Sequence, residues 1–173
     1  MSRALVVFES MWGNTEKVAR AVADGLREGM AVDLVDVAQH PGPPDDDVDL
    51  VVAGGPTHAF SMTRAGTRAD ARDKGARQGV VDTGLREWLA DLPRGHHHPK
   101  FAAFDTRVRS VRHLPGSAAR SADRQAHRHG YDDVAPPESF WVQDMDGPLV
   151  EGEVTRATAW GRDLARRVLR TGH

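Results

Sequence analysis

The chain has 173 residues, 39% of them hydrophobic, a net charge of −2 and no cysteine. That length suits one domain, residues 1–173, with enough chain to bury a core. The near-neutral balance argues against a nucleic-acid protein and against a strongly acidic carrier. The absence of cysteine excludes disulfides, a cysteine nucleophile and a cysteine-ligated metal or iron–sulfur centre.

The first element is an apolar run, Ala4-Leu5-Val6-Val7-Phe8, read as a strand. A polar bend follows, Glu9-Ser10-Met11-Trp12-Gly13-Asn14-Thr15, and then an amphipathic segment with Val18, Val22 and Leu26 four residues apart, read as a helix. Residues 31–37, with Val32, Leu34, Val35 and Val37, form a second strand, ended by His40-Pro41-Gly42-Pro43-Pro44. The acidic run Asp45-Asp46-Asp47 reads as a solvated loop. Residues 49–55 form a third strand, apolar after its first residue, as suits a strand buried on both faces of a parallel sheet. It runs into Pro56-Thr57-His58-Ala59-Phe60-Ser61-Met62.

Residues 63–79 carry many arginines and aspartates with weak apolar periodicity and read as a long surface loop with a helical turn at most. A loop of that length often lies over a site. Thr83 is placed as the N-cap of a helix carrying Leu85, Trp88, Leu89 and Leu92, stopped by Pro93. His96, His97 and His98 sit in a connector; consecutive side chains diverge and no carboxylate or cysteine frames them, so no metal site is assigned. Residues 100–104 form the fourth strand and lead into Asp105-Thr106-Arg107, read as a loop. Residues 115–130 read as a helix with Ser117 as N-cap and Gly130 as stop. Residues 139–142 are the fifth strand. A last helix spans 151–169, with Val154, Ala157, Leu164 and Val168 on its inner stripe. No candidate span approaches the ~20 apolar residues a bilayer crossing needs. With no leader recognised, a cytoplasmic location is expected.

Alternating strands and helices imply an α/β three-layer sandwich with a five-stranded, doubly wound parallel sheet, for which the usual order at this size is 2-1-3-4-5. Ligands of such sheets sit beyond the carboxyl ends of the strands, near the switch point between strands one and three. The loops after strands one, three and four share that edge. In the first, the Ser10 and Thr15 hydroxyls, the Asn14 amide and the free N–H groups of a helix start can hold a phosphate, and Gly13 permits a close turn. GxxxxGK[ST] and GxGxxG are absent, which disfavours a nucleotide triphosphatase and a dinucleotide fold.

At these residues the sequence resembles the flavodoxin family. Ser10-Met11-Trp12-Gly13-Asn14-Thr15 looks like the flavodoxin phosphate loop, Gly55-Pro56-Thr57-His58 looks like the second flavin loop, and Asp105-Thr106-Arg107 stands where the third belongs. The resemblance implies a flavodoxin-like fold, noncovalent FMN and redox function. By carry-over, Ser10, Met11, Trp12, Gly13, Asn14 and Thr15 would hold the phosphate; Pro56, Thr57, His58, Ala59, Phe60, Asp105, Thr106 and Arg107 would lie along the ring. No side chain is assigned as catalytic, and no metal is expected. The aromatic sandwich of many flavodoxins is incomplete here. Ala59 replaces their ring-loop glycine, and a Cβ resists positive φ; weaker support of the one-electron-reduced flavin is therefore expected. A positive His58 or Arg107 would favour the anionic two-electron-reduced flavin.

Three functions follow. One is a carrier passing electrons between partner proteins. The second is an FMN-dependent oxidoreductase that takes electrons from NAD(P)H to reduce a quinone or similar acceptor. The third is a flavin-free binding module that keeps the fold. A signalling receiver is excluded, because strand three ends in Gly54-Gly55 rather than an aspartate. Hydrolases lack GxSxG and HExxH.

Overall fold

A computed structural model describes residues 1–97 and 99–172. His98, the last of the three histidines in the connector, lies outside the described residues. Strands β1 (Arg3–Phe8), β2 (Ala31–Asp36), β3 (Leu50–Pro56) and β4 (Lys100–Val108) form the body of a parallel sheet, completed by β5 (Asp132–Asp133) and β6 (Glu138–Val142). The order is β2-β1-β3-β4-β5, with β6 also on β4, and every named pairing is parallel. The expected order therefore holds.

Helices α1 (Asn14–Arg27) and α5 (Glu153–Thr171) cover one face through a core of Val18, Val22, Leu26, Leu164 and Val168 against Ala4, Val6, Val52 and Phe104. Helices α3 (Leu85–Ala90) and α4 (Ala118–Arg128) cover the other, where Leu85, Trp88, Leu89 and Ala122 meet Val7, Val51, Ala53 and Phe101. Strand β3 lies at the centre and is buried at every residue, which is why its sequence is a continuous apolar run rather than an alternating one.

Several elements depart from expectation. Asp105, Thr106 and Arg107 continue β4 instead of forming a loop; β3 pairs up to Thr106 and β6 pairs from Phe104 to Val108. Their polar side chains suggest a loop, but all three have partners inside the fold. Asp105 accepts from the Ala119 amide at 2.9 Å, and the Thr106 and Thr15 hydroxyls bond at 2.8 Å. The outer position beside β4 is shared by two short strands, β5 at Lys100–Phe101 and β6 further on. Between them lie Pro136 and Pro137, which have no N–H to continue a ladder.

Helix α3 is capped by Gly84 rather than Thr83. Val154 is exposed, off the inner stripe of α5. Most importantly, the segment read as a loop contains a fifth helix, α2 (Ala65–Asp73). Ser117 does cap α4, its hydroxyl accepting from the Arg120 amide at 3.2 Å.

Candidate functional site

The loops after β1, β3 and β4 converge at the carboxyl edge of the sheet around a cleft of about 210 Å³. Met11, Trp12, Asn14 and Thr15 form one wall, and Pro56, Thr57, His58 and Ala59 a second. Thr106 and Val108 of β4, with Val142 and Met145, close a third side. The α2 residues Thr67, Asp70, Ala71 and Lys74 face them.

The first loop is shaped by two residues that stay behind it. Gly13 caps α1 at φ 94°, a left-handed conformation a Cβ would penalise. Ser10 is buried, and its hydroxyl accepts from the Gly13 amide at 3.1 Å and the Glu16 amide at 3.3 Å. The amides of Met11, Trp12, Asn14 and Thr15 make no hydrogen bond to protein among the described residues. The indole N–H of Trp12 is buried and equally without an acceptor. Unspent donors at the positive end of a helix are what a phosphate requires, so the residues present fit such a group.

The second loop is a tight turn. The His58 and Ser61 backbones exchange hydrogen bonds of 2.9 and 3.1 Å. Ala59 at φ 48° and Phe60 at φ 66° occupy its two central positions. The Ala59 Cβ penalises positive φ but does not prevent it. The turn adopts the left-handed form despite side chains, at a cost on the order of 1–2 kcal/mol per residue. Phe60 points to solvent, 51% exposed, and does not line the cleft. Burial, reinforced by the fields of Arg68 and Lys74, holds His58 below the usual imidazole range.

The third segment divides by strand alternation. Thr106 and Val108 face the cleft, while Asp105 and Arg107 do not line it. Arg107 lies over the Trp141 ring at 5.7 Å and donates to the Leu114 carbonyl at 3.0 Å. Burial pushes the Asp105 carboxyl up, against the Ala119 amide and the nearby Ser117 and Ser139.

Behind the cleft lies a polar network that sequence reasoning missed. Arg68 of α2 has 0% exposure. Its guanidinium donates to the Thr63 hydroxyl at 2.8 Å, the Val81 carbonyl at 3.0 Å and the Glu87 carboxylate. It lies 3.6 Å from Glu9, the buried residue that opens the first loop. Glu9 in turn accepts from the Thr63 hydroxyl at 2.5 Å and the Leu85 amide at 2.8 Å. A Cβ on Gly84 would stand 2.5 Å from both the Arg68 and Glu9 side chains, so only glycine leaves room for the pair. Burial pushes Glu9 up, opposed by its two donors and by Arg68.

Beyond α2 the chain crosses the first loop: the Gln78 amide donates to the Met11 carbonyl at 3.2 Å, and Met11, Ala71 and Ala76 form a small apolar cluster with Trp12. The available sequence signal was the spacing of Thr67, Asp70, Ala71 and Lys74, one helical face written in polar residues. Among the described residues there is no cluster suited to a metal ion, and His97 instead stacks on Tyr131 at 4.3 Å.

An open parallel sheet in this order, with its cleft at the switch point, is a flavodoxin fold, and known proteins agree. Solved structures align over nearly the whole chain. A flavodoxin from the domain Archaea has a TM-score of 0.64 at 17% identity, covering 96% of this chain and 99% of that one. The Streptococcus pneumonia flavodoxin has a TM-score of 0.64 at 21% identity, with the same coverage. Oxidised flavodoxin 2 from Bacillus cereus has a TM-score of 0.66 at 16% identity, covering 96% and 99%. The Flavodoxin family model matches residues 6–73, the stretch that holds the first two loops and α2. The family model covers less than half of the chain, and the solved structures establish the fold, which is that of the flavodoxins. A curated relative, NAD(P)H dehydrogenase (quinone) of Archaeoglobus fulgidus, is 64% identical over 31 residues, which is 18% of this chain and 16% of the relative.

Proposed function

We propose that the cleft binds FMN without a covalent bond and that the protein transfers electrons between redox partners. The observation that carries this reading is the set of unspent donors at the start of α1, opening onto a cleft also lined by the loops after β3 and β4. The Met11, Trp12, Asn14 and Thr15 amides would hold the phosphate, with Ser10 and Gly13 fixing the shape of their loop. Pro56, Thr57, His58 and Ala59 would line the ring on one side and Thr106 on another. The flavin supplies the redox chemistry when bound, and the side chains set affinity, access and charge. Burial disfavours the charged form of His58 and so works against a positive charge there. Arg107 of β4 does not line the cleft and is held on the Trp141 ring and the Leu114 carbonyl.

A second reading, an FMN-dependent reductase using NAD(P)H, is favoured by the short, high-identity likeness to the Archaeoglobus fulgidus dehydrogenase. In the described residues no helix is long and apolar enough to cross a membrane. The test is the visible absorption spectrum of the purified protein before and after addition of FMN, followed by an NADPH oxidation assay on the loaded protein. Flavin bands that survive desalting support the cofactor. Steady NADPH oxidation without a partner favours the reductase, and none favours the carrier. A colourless protein that leaves FMN unchanged overturns both and points to a flavin-free module.

A further inference from the structure

Helix α2 forms a wall of the cleft that none of the three flavin-type loops provides. Thr67, Asp70, Ala71 and Lys74 fall at positions i, i+3, i+4 and i+7, so a single helical face looks into the cleft. The Thr67 hydroxyl is spent at the start of its own helix, accepting from the Arg64 amide at 2.9 Å and donating to the Arg64 carbonyl. Asp70 and Lys74 make no ion pair among the described residues, either with each other or with a third group. Lys74 is the one lysine or arginine among the lining residues. Of the other cations of the segment, Arg68 is held in the buried network and Arg72 donates to the Gly79 carbonyl at 2.6 Å, while Arg64 and Arg77 do not line the cleft.

Position and charge agree. Lys74 ends α2, and a Cβ on the next residue, Gly75, would lie 4.0 Å from the Trp12 ring. Ala76 packs on Met11, and Gln78 bonds to the Met11 carbonyl. The end of α2 is therefore seated on the loop whose amides are unspent. The field of the Lys74 ammonium also reaches His58 across the cleft. The first loop itself, residues 10–15, contains no lysine or arginine.

We infer that α2 is a fourth cofactor-contacting element and that Lys74 provides the counter-charge to the phosphate of the bound flavin nucleotide. This rests on the FMN reading above. A mobile ammonium on the cleft rim suits a dianion, adding charge to neutral N–H donors. Asp70, on the same face, limits the excess of positive charge.

The experiment is a pair of fluorescence-quenching titrations, one with FMN and one with riboflavin, on the wild type, Lys74→Met and Lys74→Arg. Riboflavin has the same ring and ribityl chain without the phosphate. The expected result is about a tenfold loss of FMN affinity in Lys74→Met, with riboflavin affinity unchanged and most of the loss recovered in Lys74→Arg. The wild-type preference for FMN over riboflavin should also shrink as salt rises, and by less in Lys74→Met. An FMN-to-riboflavin ratio equal in wild type and Lys74→Met would overturn the role of Lys74 while leaving FMN binding intact. A wild type that binds neither flavin would instead overturn the reading on which it rests.

Discussion

The first loop and the α2 segment face each other across one cleft, yet they are held in place by opposite means. The loop hangs between β1 and α1, whose apolar residues are buried in the same core. Its fold is a consequence of hydrophobic burial on both flanks, with Ser10 and Gly13 setting only the last turn. Helix α2 has almost no apolar face. Its buried positions are Arg68 and Ala71, and its anchor is a buried guanidinium shared among Glu9, Thr63, Glu87 and the Val81 carbonyl. One wall of the site is specified by apolar pattern and the other by a polar network. In the first, Ser10 is the polar side chain that shapes the loop. The second depends on every member.

The largest effect should come from breaking that network. Arg68→Met leaves Glu9 buried without its cation, and a loss of about 3–5 kcal/mol in urea unfolding is expected. Adding Glu9→Leu should recover part of it, because the orphaned carboxylate is then gone. If Arg68→Met costs no more than an exposed arginine does, the contrast between the two walls fails.

On the other wall, Ser10→Ala removes the acceptor of two loop amides, with an expected cost of about 1 kcal/mol. This variant should also weaken FMN binding, because the loop loses its shape. Ala59→Gly runs the other way: glycine adopts positive φ without the Cβ penalty. A stabilisation of about 0.5–1 kcal/mol is expected, and a loss instead would mean that the turn is not strained.

The smallest effect is one of pH. Asp105 has its pKa raised by burial above the unfolded value, so the folded state holds its proton longer. Stability from this group is full below the unfolded pKa and falls as pH rises through the folded one. Asp105→Asn keeps a carbonyl oxygen for the Ala119 amide and removes that dependence. Its melting temperature should exceed that of the wild type at pH 8 by more than at pH 4.

The legibility of the sequence follows the same division. β1, β3 and α1 are readable because their apolar residues recur at the period of the element they form, and the sheet order is the usual one for a doubly wound sheet of this size. Strand β4 was cut short at Phe104 because Asp105, Thr106 and Arg107 look like loop residues. Their partners, such as Thr15 for Thr106, lie far away in the chain. The α2 helix was missed because a helix anchored by Arg68 carries little apolar periodicity. Within the site, the loop residues Met11, Trp12, Asn14, Thr15 and Pro56 to Ala59 were chosen from the sequence and do meet at one cleft. Asp105, Arg107 and Phe60 were chosen with them and turn elsewhere, since strand alternation and a left-handed turn decide direction, not neighbourhood in sequence. Thr67, Asp70 and Lys74 carry no apolar signal, because their helix has almost no apolar face to reveal it.

The most direct test of the central claim is a fluorescence titration of FMN with the purified wild-type protein. Quenching that saturates at one flavin per chain, and that inorganic phosphate competes away, is the predicted result. FMN fluorescence that stays unchanged at every protein concentration would contradict it, and the unspent amides of the first loop would then need another ligand.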